Sequence, residues 1–202
     1  MRWSKVELNK HWRDYEYCCV DIETTGLDFK QDEVVSIGAV KITDGRFTSV
    51  NNFYQEISPV SNPSVSSMQI HGLRGIDLEK ARPVAQVIPE FIAHLEDRYL
   101  ITHAGWVERA FLSTPLKEQG YKFPKQIIDT AALARFLGHA EATTGHEPSL
   151  EFLARKLNVP VFAPHHALGD AMTTAVVFLA LAGEIEKKCE VLTLKYLFEL
   201  SQ

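Results

Sequence analysis

The sequence predicts an α/β protein built around one mixed sheet, on three observations. Strand-like runs come first, over residues 17–22, 33–42 and 47–57; beyond residue 83, short apolar runs alternate with stretches of helical spacing; and no internal repeat or low-complexity tract interrupts them. Strands gathered ahead of alternating helices and strands suit helices packed on the faces of a mixed sheet. With 202 residues, 46% of them hydrophobic and 23% charged, the chain fits one soluble domain with a sizeable core.

The elements follow in order. Residues 17–22 (Tyr-Cys-Cys-Val-Asp-Ile) are apolar until they deliver Asp21. Val34, Val35, Ile37, Ala39, Val40 and Ile42 make a second buried strand, and Asp44-Gly45 is a hairpin turn. A third strand is expected from Phe47 to about Ile57, then a Pro-, Ser- and Asn-rich loop from Pro59 to Ser67. Val84, Val87, Ile88, Phe91, Ile92 and Leu95 have helical spacing behind Pro83. Tyr99-Leu100-Ile101 is a short strand, 106–119 a helix, and Ile127-Ile128 a strand ending at Asp129. Helices are expected over 130–137, 149–157 and 167–187, with a last amphipathic segment at 190–200.

Composition narrows the function. A net charge of −5 is the wrong sign for a broad nucleic-acid-binding surface, and it points to a small footprint or to a partner that supplies the grip. Cys18, Cys19 and Cys189 have no metal spacing and an odd count, so they are expected as buried or incidental thiols. The apolar run Ala175–Gly183 is too short to cross a bilayer, and Met1–Lys5 lacks a signal-peptide core. The expectation is a cytoplasmic chain without a membrane partner, divided into an N-terminal extension (1–16), a catalytic domain (17–183) and a helical tail (184–202).

Two motifs carry chemistry. In Asp21-Ile22-Glu23-Thr24-Thr25-Gly26 the two acids are two apart on a strand, so both carboxylates project from one face. Side by side at the end of an apolar strand they repel each other and resist desolvation, and a bound cation relieves both costs. Thr24, Thr25 and Gly26 then offer hydroxyls, N–H groups and a turn to a phosphate or terminal sugar. In His165-His166-Ala167-Leu168-Gly169-Asp170-Ala171 a histidine precedes a helix that carries Asp170 into one of the most apolar stretches of the chain. An unpaired charge there needs a reason.

Together these residues resemble the DEDDh 3′→5′ exonucleases, the family of the proofreading epsilon subunit of bacterial DNA polymerase III. The resemblance runs over roughly 17–182: Asp21 to Leu27, then Ile70-His71-Gly72-Leu73, Ile128-Asp129-Thr130, Ser149-Leu150 and His165-x4-Asp170-Ala171. It implies a ribonuclease H-like fold, a five-stranded mixed sheet with its second strand antiparallel. It also implies two divalent ions about 4 Å apart, Mg²⁺ with Mn²⁺ as substitute. Asp21 would bridge both ions, Glu23 and Asp170 would complete one, and His165 would take a proton from the attacking water. The family's middle motif, His-Asn-x-x-Phe-Asp, is altered here to His103-Ala104-Gly105-Trp106-Val107-Glu108. The spacing is kept, so Glu108 stands at the third metal-site aspartate, on the second ion; Trp106 is a candidate for the missing ring.

Weaker assignments complete the site. Leu27 would wedge beside the terminal base or sit in the core, His71 would touch substrate or end a helix at the surface, and His103 would line the site or fix the loop that carries Glu108. Asp129 is expected to cap the next helix. His11, His94, His139 and His146 are expected at the surface. The resemblance implies an enzyme that releases 5′-nucleotides from nucleic-acid 3′ ends. Single-stranded or frayed DNA is the preferred substrate, with a DNA polymerase as a possible partner, in proofreading or repair. The alternatives are an RNA exonuclease acting on short RNA, or a degenerate module that binds nucleic acid or protein without cutting.

Overall fold

The structure is a computed structural model describing residues 7–48, 50–139 and 147–202. β1 (Tyr17–Thr24) is the central strand, with Tyr17 to Val20 fully buried. β2 (Val34–Thr43) runs antiparallel to it. Asp44 and Gly45, with φ of 52° and 65°, give the left-handed pair that a tight hairpin needs. The expected third strand is in fact two, β3 (Arg46–Phe47) and β4 (Phe53–Glu56), both antiparallel on β2. Between them the chain leaves the edge, with Asn51 at φ 58° and Val50 exposed. Six strands therefore occupy five positions in the sheet.

α1 (Val65–His71) begins inside the stretch expected as loop, Pro59 to Ser67, and runs beyond it. Ser64 caps it by accepting from the Ser67 N–H, and Gly72 at φ 76° ends it. Of its residues Ser67 alone is buried, so it has no apolar period. The one-turn α2 (Gly75–Leu78) and then α3 (Val84–Leu95) follow. β5 (Tyr99–Thr102) lies parallel beside β1, and α4 (Trp106–Glu118) leaves its C-terminal end. β6 (Ile128–Asp129) is parallel to β5 at the far edge, so the order is β3-β2-β1-β5-β6 with β4 also on β2. α5 (Thr130–Phe136), α6 (Leu150–Lys156), α7 (Ala167–Glu186) and α8 (Leu194–Leu200) complete the chain.

The sheet has a core on each face. Tyr17, Cys19, Val40 and Ile101 pack with Leu133, Leu153, Ala171, Phe178 and Leu181 of α5, α6 and α7. Cys18, Val20, Ile37 and Leu100 pack with Ile88, Phe91 and Leu112 of α3 and α4. The adjacent cysteines thus point to opposite faces, and Asp21 and Glu23, in step with Tyr17 and Cys19, face α7. α7 has the length and apolarity of a membrane span, but Ala171, Ala175, Phe178 and Leu181 are buried on the sheet. Both ends of the described chain join this core: Trp12 is fully buried edge-on to Phe178 at 5.6 Å, and Leu194, Leu197 and Phe198 of α8 pack in the same cluster.

Candidate active site

Close backbone approach places the site. Gly38 of β2 pairs with Asp21, and a Cβ there would lie 2.2 Å from the carbonyl carbon of Ala167 and 2.3 Å from the Leu168 nitrogen. Only glycine lets the first turn of α7 rest on the sheet at this point. Gly169 repeats the device from the helix side, where a Cβ would lie 2.4 Å from the Ala163 carbonyl oxygen. The result is that Asp170, from α7, meets Asp21 and Glu23, from β1, with one carboxylate oxygen of each within 4.8 Å of the others.

Burial and mutual repulsion act on all of them. Burial first, then the charges of Glu108, Asp170 and Glu23, raise Asp21 well above the usual carboxylate range. Burial and the charge of Asp170 push Glu23 up to about 7. Burial raises Asp170 to about 6 against the opposing effect of the His165 main-chain N–H, which donates to Oδ2 at 2.9 Å. Glu108, in the first turn of α4, is 2% exposed, and among the described residues its Oε2 has no hydrogen-bond partner. Burial pushes it up to about 8. Among the described residues Asp21, Glu23 and Asp170 could hold a metal ion, and an all-oxygen donor set suits a hard divalent one.

His165 stands just ahead of α7, exposed, in the left-handed region at φ 58°. This strain is tied down by its N–H bond to Asp170. His166 is the N-cap residue of α7, and its ring stacks on Tyr54 at 4.3 Å and 25°.

The loop after β1 is built differently from the expectation. Thr25 is 1% exposed; its hydroxyl donates to Asp32 Oδ1 and accepts from the Glu33 N–H, and its own N–H donates to the Glu33 carbonyl. The Thr24 hydroxyl donates to the Gly26 carbonyl. Both threonine hydroxyls therefore shape the turn rather than face outward. A Cβ at Gly26 would lie 2.4 Å from Asp32 Oδ2. Leu27 is 68% exposed, which removes the core reading of that residue.

α1 is locked onto this loop, since the Ser64 N–H and the Ser67 hydroxyl both donate to the Thr25 carbonyl. His71 accepts from the Leu73 N–H at Nδ1, so its Nε2–H donates to the Thr24 carbonyl at 3.2 Å. Both nitrogens of His71 are thus used within the protein, and burial lowers its pKa.

The altered middle motif has its own supports. His103 contacts Thr130 Oγ1 at 2.8 Å and the Pro148 carbonyl at 2.9 Å, so both its nitrogens are likewise engaged. Asp129 caps α5 through the Ala131 N–H and also accepts from Ala104 and Gly105, clamping the turn that launches α4. Ala104 sits at φ 55°, a conformation that favours glycine or asparagine.

Sequence reasoning missed this second job of Asp129, the close approach at Gly38 and the Tyr54–His166 stack, none of which leaves a local pattern. Of the histidines expected at the surface, two are partly exposed and paired with carboxylates and one is half-buried. His11 contacts Glu186 at 2.6 Å and His139 contacts Glu184 at 2.7 Å, while His94 is half-buried beside Phe53 with burial lowering its pKa to about 4. His146 lies outside the described residues.

Comparison with known proteins agrees with this geometry. The family model described as Exonuclease matches residues 18–178. The chain is similar to the PolC-type DNA polymerase III of Thermotoga maritima, 35% identical over 86% of this chain but only 12% of that protein's length. It is equally similar to that of Thermotoga petrophila, 35% identical over 90% of this chain and 13% of the relative. The chain thus spans about an eighth of these relatives. Among solved structures, exonuclease X in complex with 5′-overhanging duplex DNA has a TM-score of 0.71 at 22% identity, covering 92% of this chain and 99% of that one. The nuclease domain of 3′hExo, a DEDDh family member bound to rAMP, has a TM-score of 0.69 at 18% identity, covering 88% and 95%. The chain belongs to the exonuclease family.

Proposed function

We propose that this chain removes nucleotides one at a time from DNA 3′ ends, releasing 5′-nucleotides, with Mg²⁺ as the working ion and two ions per site. One observation carries the reading: Asp21, Glu23 and Asp170 converge within 4.8 Å, and a fourth carboxylate, Glu108, is buried beside them with an oxygen left unpaired. A degenerate module would have no reason to keep that arrangement in the absence of a cation. Divalent ions held there supply neutralising charge to the scissile phosphate and acidify the attacking water.

The chain's own residues do the rest. Asp21 would touch both ions, Glu23 and Asp170 one of them, and Glu108 the other. His165, exposed and tethered at its N–H, would accept the proton of the attacking water. Leu27, exposed beside the turn, would lean on the terminal base; Thr24, Thr25, Gly26, His71 and His103 would hold the walls against which the end of the strand rests.

The likeness to PolC-type polymerases favours DNA over RNA, and it favours proofreading or repair in the cytoplasm beside a polymerase. The test uses end-labelled single-stranded DNA, duplex DNA with a mismatched 3′ end, and short RNA, each with Mg²⁺, Mn²⁺ or EDTA. Ladder-like loss of DNA 3′ nucleotides with either ion is expected. Robust turnover in EDTA, or faster cutting of RNA, would overturn the corresponding part of the reading.

A further inference from the structure

At the edge of the sheet, where β6 meets α4 and α8, the protein carries a recess. The turn clamped by Asp129 launches α4 from the C-terminal end of β5, the same end of the sheet that carries the carboxylates. Trp106 opens this helix and is 54% exposed. Arg109, three residues on, shares its face of the helix. The two line a cavity of about 350 Å³ whose other walls include Lys125, Gln126, Ser201 and Gln202. That volume lies within the ~300–1,000 Å³ range of ordinary ligand sites. The Arg109 guanidinium is held over the Phe123 ring at 4.9 Å and donates to the Lys125 carbonyl at 3.1 Å, which orients it with donors to spare. The carboxylate of Asp129, also in the wall, is occupied by three main-chain N–H groups.

We infer that this recess is a subsite for the nucleic-acid strand upstream of the scissile bond, with a base stacked on Trp106 and phosphate oxygens met by Arg109 and Lys125. An exposed indole flanked by cations and side-chain amides has the chemistry for a π-face and an anion together. β6 stands two strand positions from β1, about 10 Å at ordinary strand spacing, and β1 and β5 run parallel, so the recess and the carboxylates share one end of the sheet. In a chain of net charge −5, two cations on one wall of such a recess favour nucleic acid over an acidic protein surface. Trp106 thereby gives the altered middle motif a function of its own. The inference rests on the exonuclease reading and extends it by one site.

The test compares wild type, Trp106→Ala and Trp106→Phe on two probes, the p-nitrophenyl ester of thymidine 5′-monophosphate and an oligothymidine of about ten nucleotides. The ester reaches only the metal centre. Trp106→Ala is expected to lower the oligonucleotide-to-ester ratio of kcat/KM about tenfold, chiefly through KM for the oligonucleotide, and Trp106→Phe to restore most of it. Lys125→Gln should reduce the salt dependence of oligonucleotide binding by about one counterion. Anisotropy of labelled oligothymidine in EDTA gives the same comparison without turnover. Wild type inert on both probes would remove the exonuclease reading while anisotropy still judges the subsite. An unchanged ratio and unchanged anisotropy in Trp106→Ala would overturn the subsite, and so would a variant that binds DNA normally but loses a polymerase partner.

Discussion

At Glu108 the chain buries a carboxylate almost completely, with one oxygen that has no partner among the described residues. Such a group costs stability in the metal-free protein and contributes only when a cation is near. Glu108→Gln keeps the shape and removes the charge, so it should raise the melting temperature in EDTA while lowering the Mg²⁺-dependent rate by about 10² or more. Glu108→Asp keeps the charge and shortens the reach by one methylene, and its loss should stay within about tenfold. Equal rates for both variants and wild type would place Glu108 outside the chemistry. At His165 the exposed ring and the main-chain N–H do separate work. Replacement by Ala should therefore cost roughly 10²–10⁴ in rate, with stabilisation by Mn²⁺ preserved because the N–H still holds Asp170. Wild-type cleavage by His165→Ala would move the base elsewhere. The shared face of Asp21 and Glu23 was legible from their spacing on one strand, whereas the places of Glu108 and His165 beside them follow from the family resemblance. The hydroxyls of Thr24 and Thr25 were not, since their partners Asp32, Glu33 and the Gly26 carbonyl are found only in the folded turn.

The elements that position the site differ in how much of themselves they write into the sequence. β1 and α7 are dense in apolar residues and were readable to within two residues at each end. α1 left no apolar period and showed only as a helix end at His71, because it buries Ser67 and is held by polar contacts to the Thr24 and Thr25 carbonyls instead of by an apolar face. Most consequential is the contact between β2 and the start of α7. Gly38 reads in sequence as a weakness in a strand, and its reason appears only when α7 lies against it. Gly38→Ala would put a methyl group 2.2 Å from the Ala167 backbone, and the first turn of α7 would have to retreat with Asp170. Overpacking of this kind costs about 1–3 kcal/mol, and a shift of about 1 Å at a metal site can cost on the order of 10² in rate. Thermal melts with rates in Mn²⁺ check both numbers. A Gly38→Ala protein as stable and as fast as wild type would show that the contact has slack.

For the molecule as a whole, a sheet covered on both faces was legible from the unbroken apolar runs of β1 and β2, whereas the joining of both ends of the described chain to one core was not: Trp12 and Phe178 are far apart in sequence, and no local pattern links them. One consequence belongs to this scale, because the four carboxylates act on the stability of the entire fold. Their folded-state values are raised, to about 7 for Glu23, about 8 for Glu108 and about 6 for Asp170, with Asp21 also well above its ordinary value. In the unfolded chain the same groups release their protons near pH 4. Between about pH 4 and pH 8 the folded protein therefore binds more protons than the unfolded one, and stability must fall as pH rises through that window. Divalent ions bind the deprotonated cluster, so their stabilising effect runs the other way and grows as protons become easier to displace. The melting temperature in EDTA should thus decline from pH 5 to pH 8, and the gap between Mn²⁺ and EDTA should widen over the same range. Glu108→Gln should flatten the EDTA slope in part, because one of the raised groups has been removed. A gap that stays constant with pH, or a metal-free protein that grows more stable toward pH 8, would mean that these carboxylates are not the coupled, cation-seeking cluster described above.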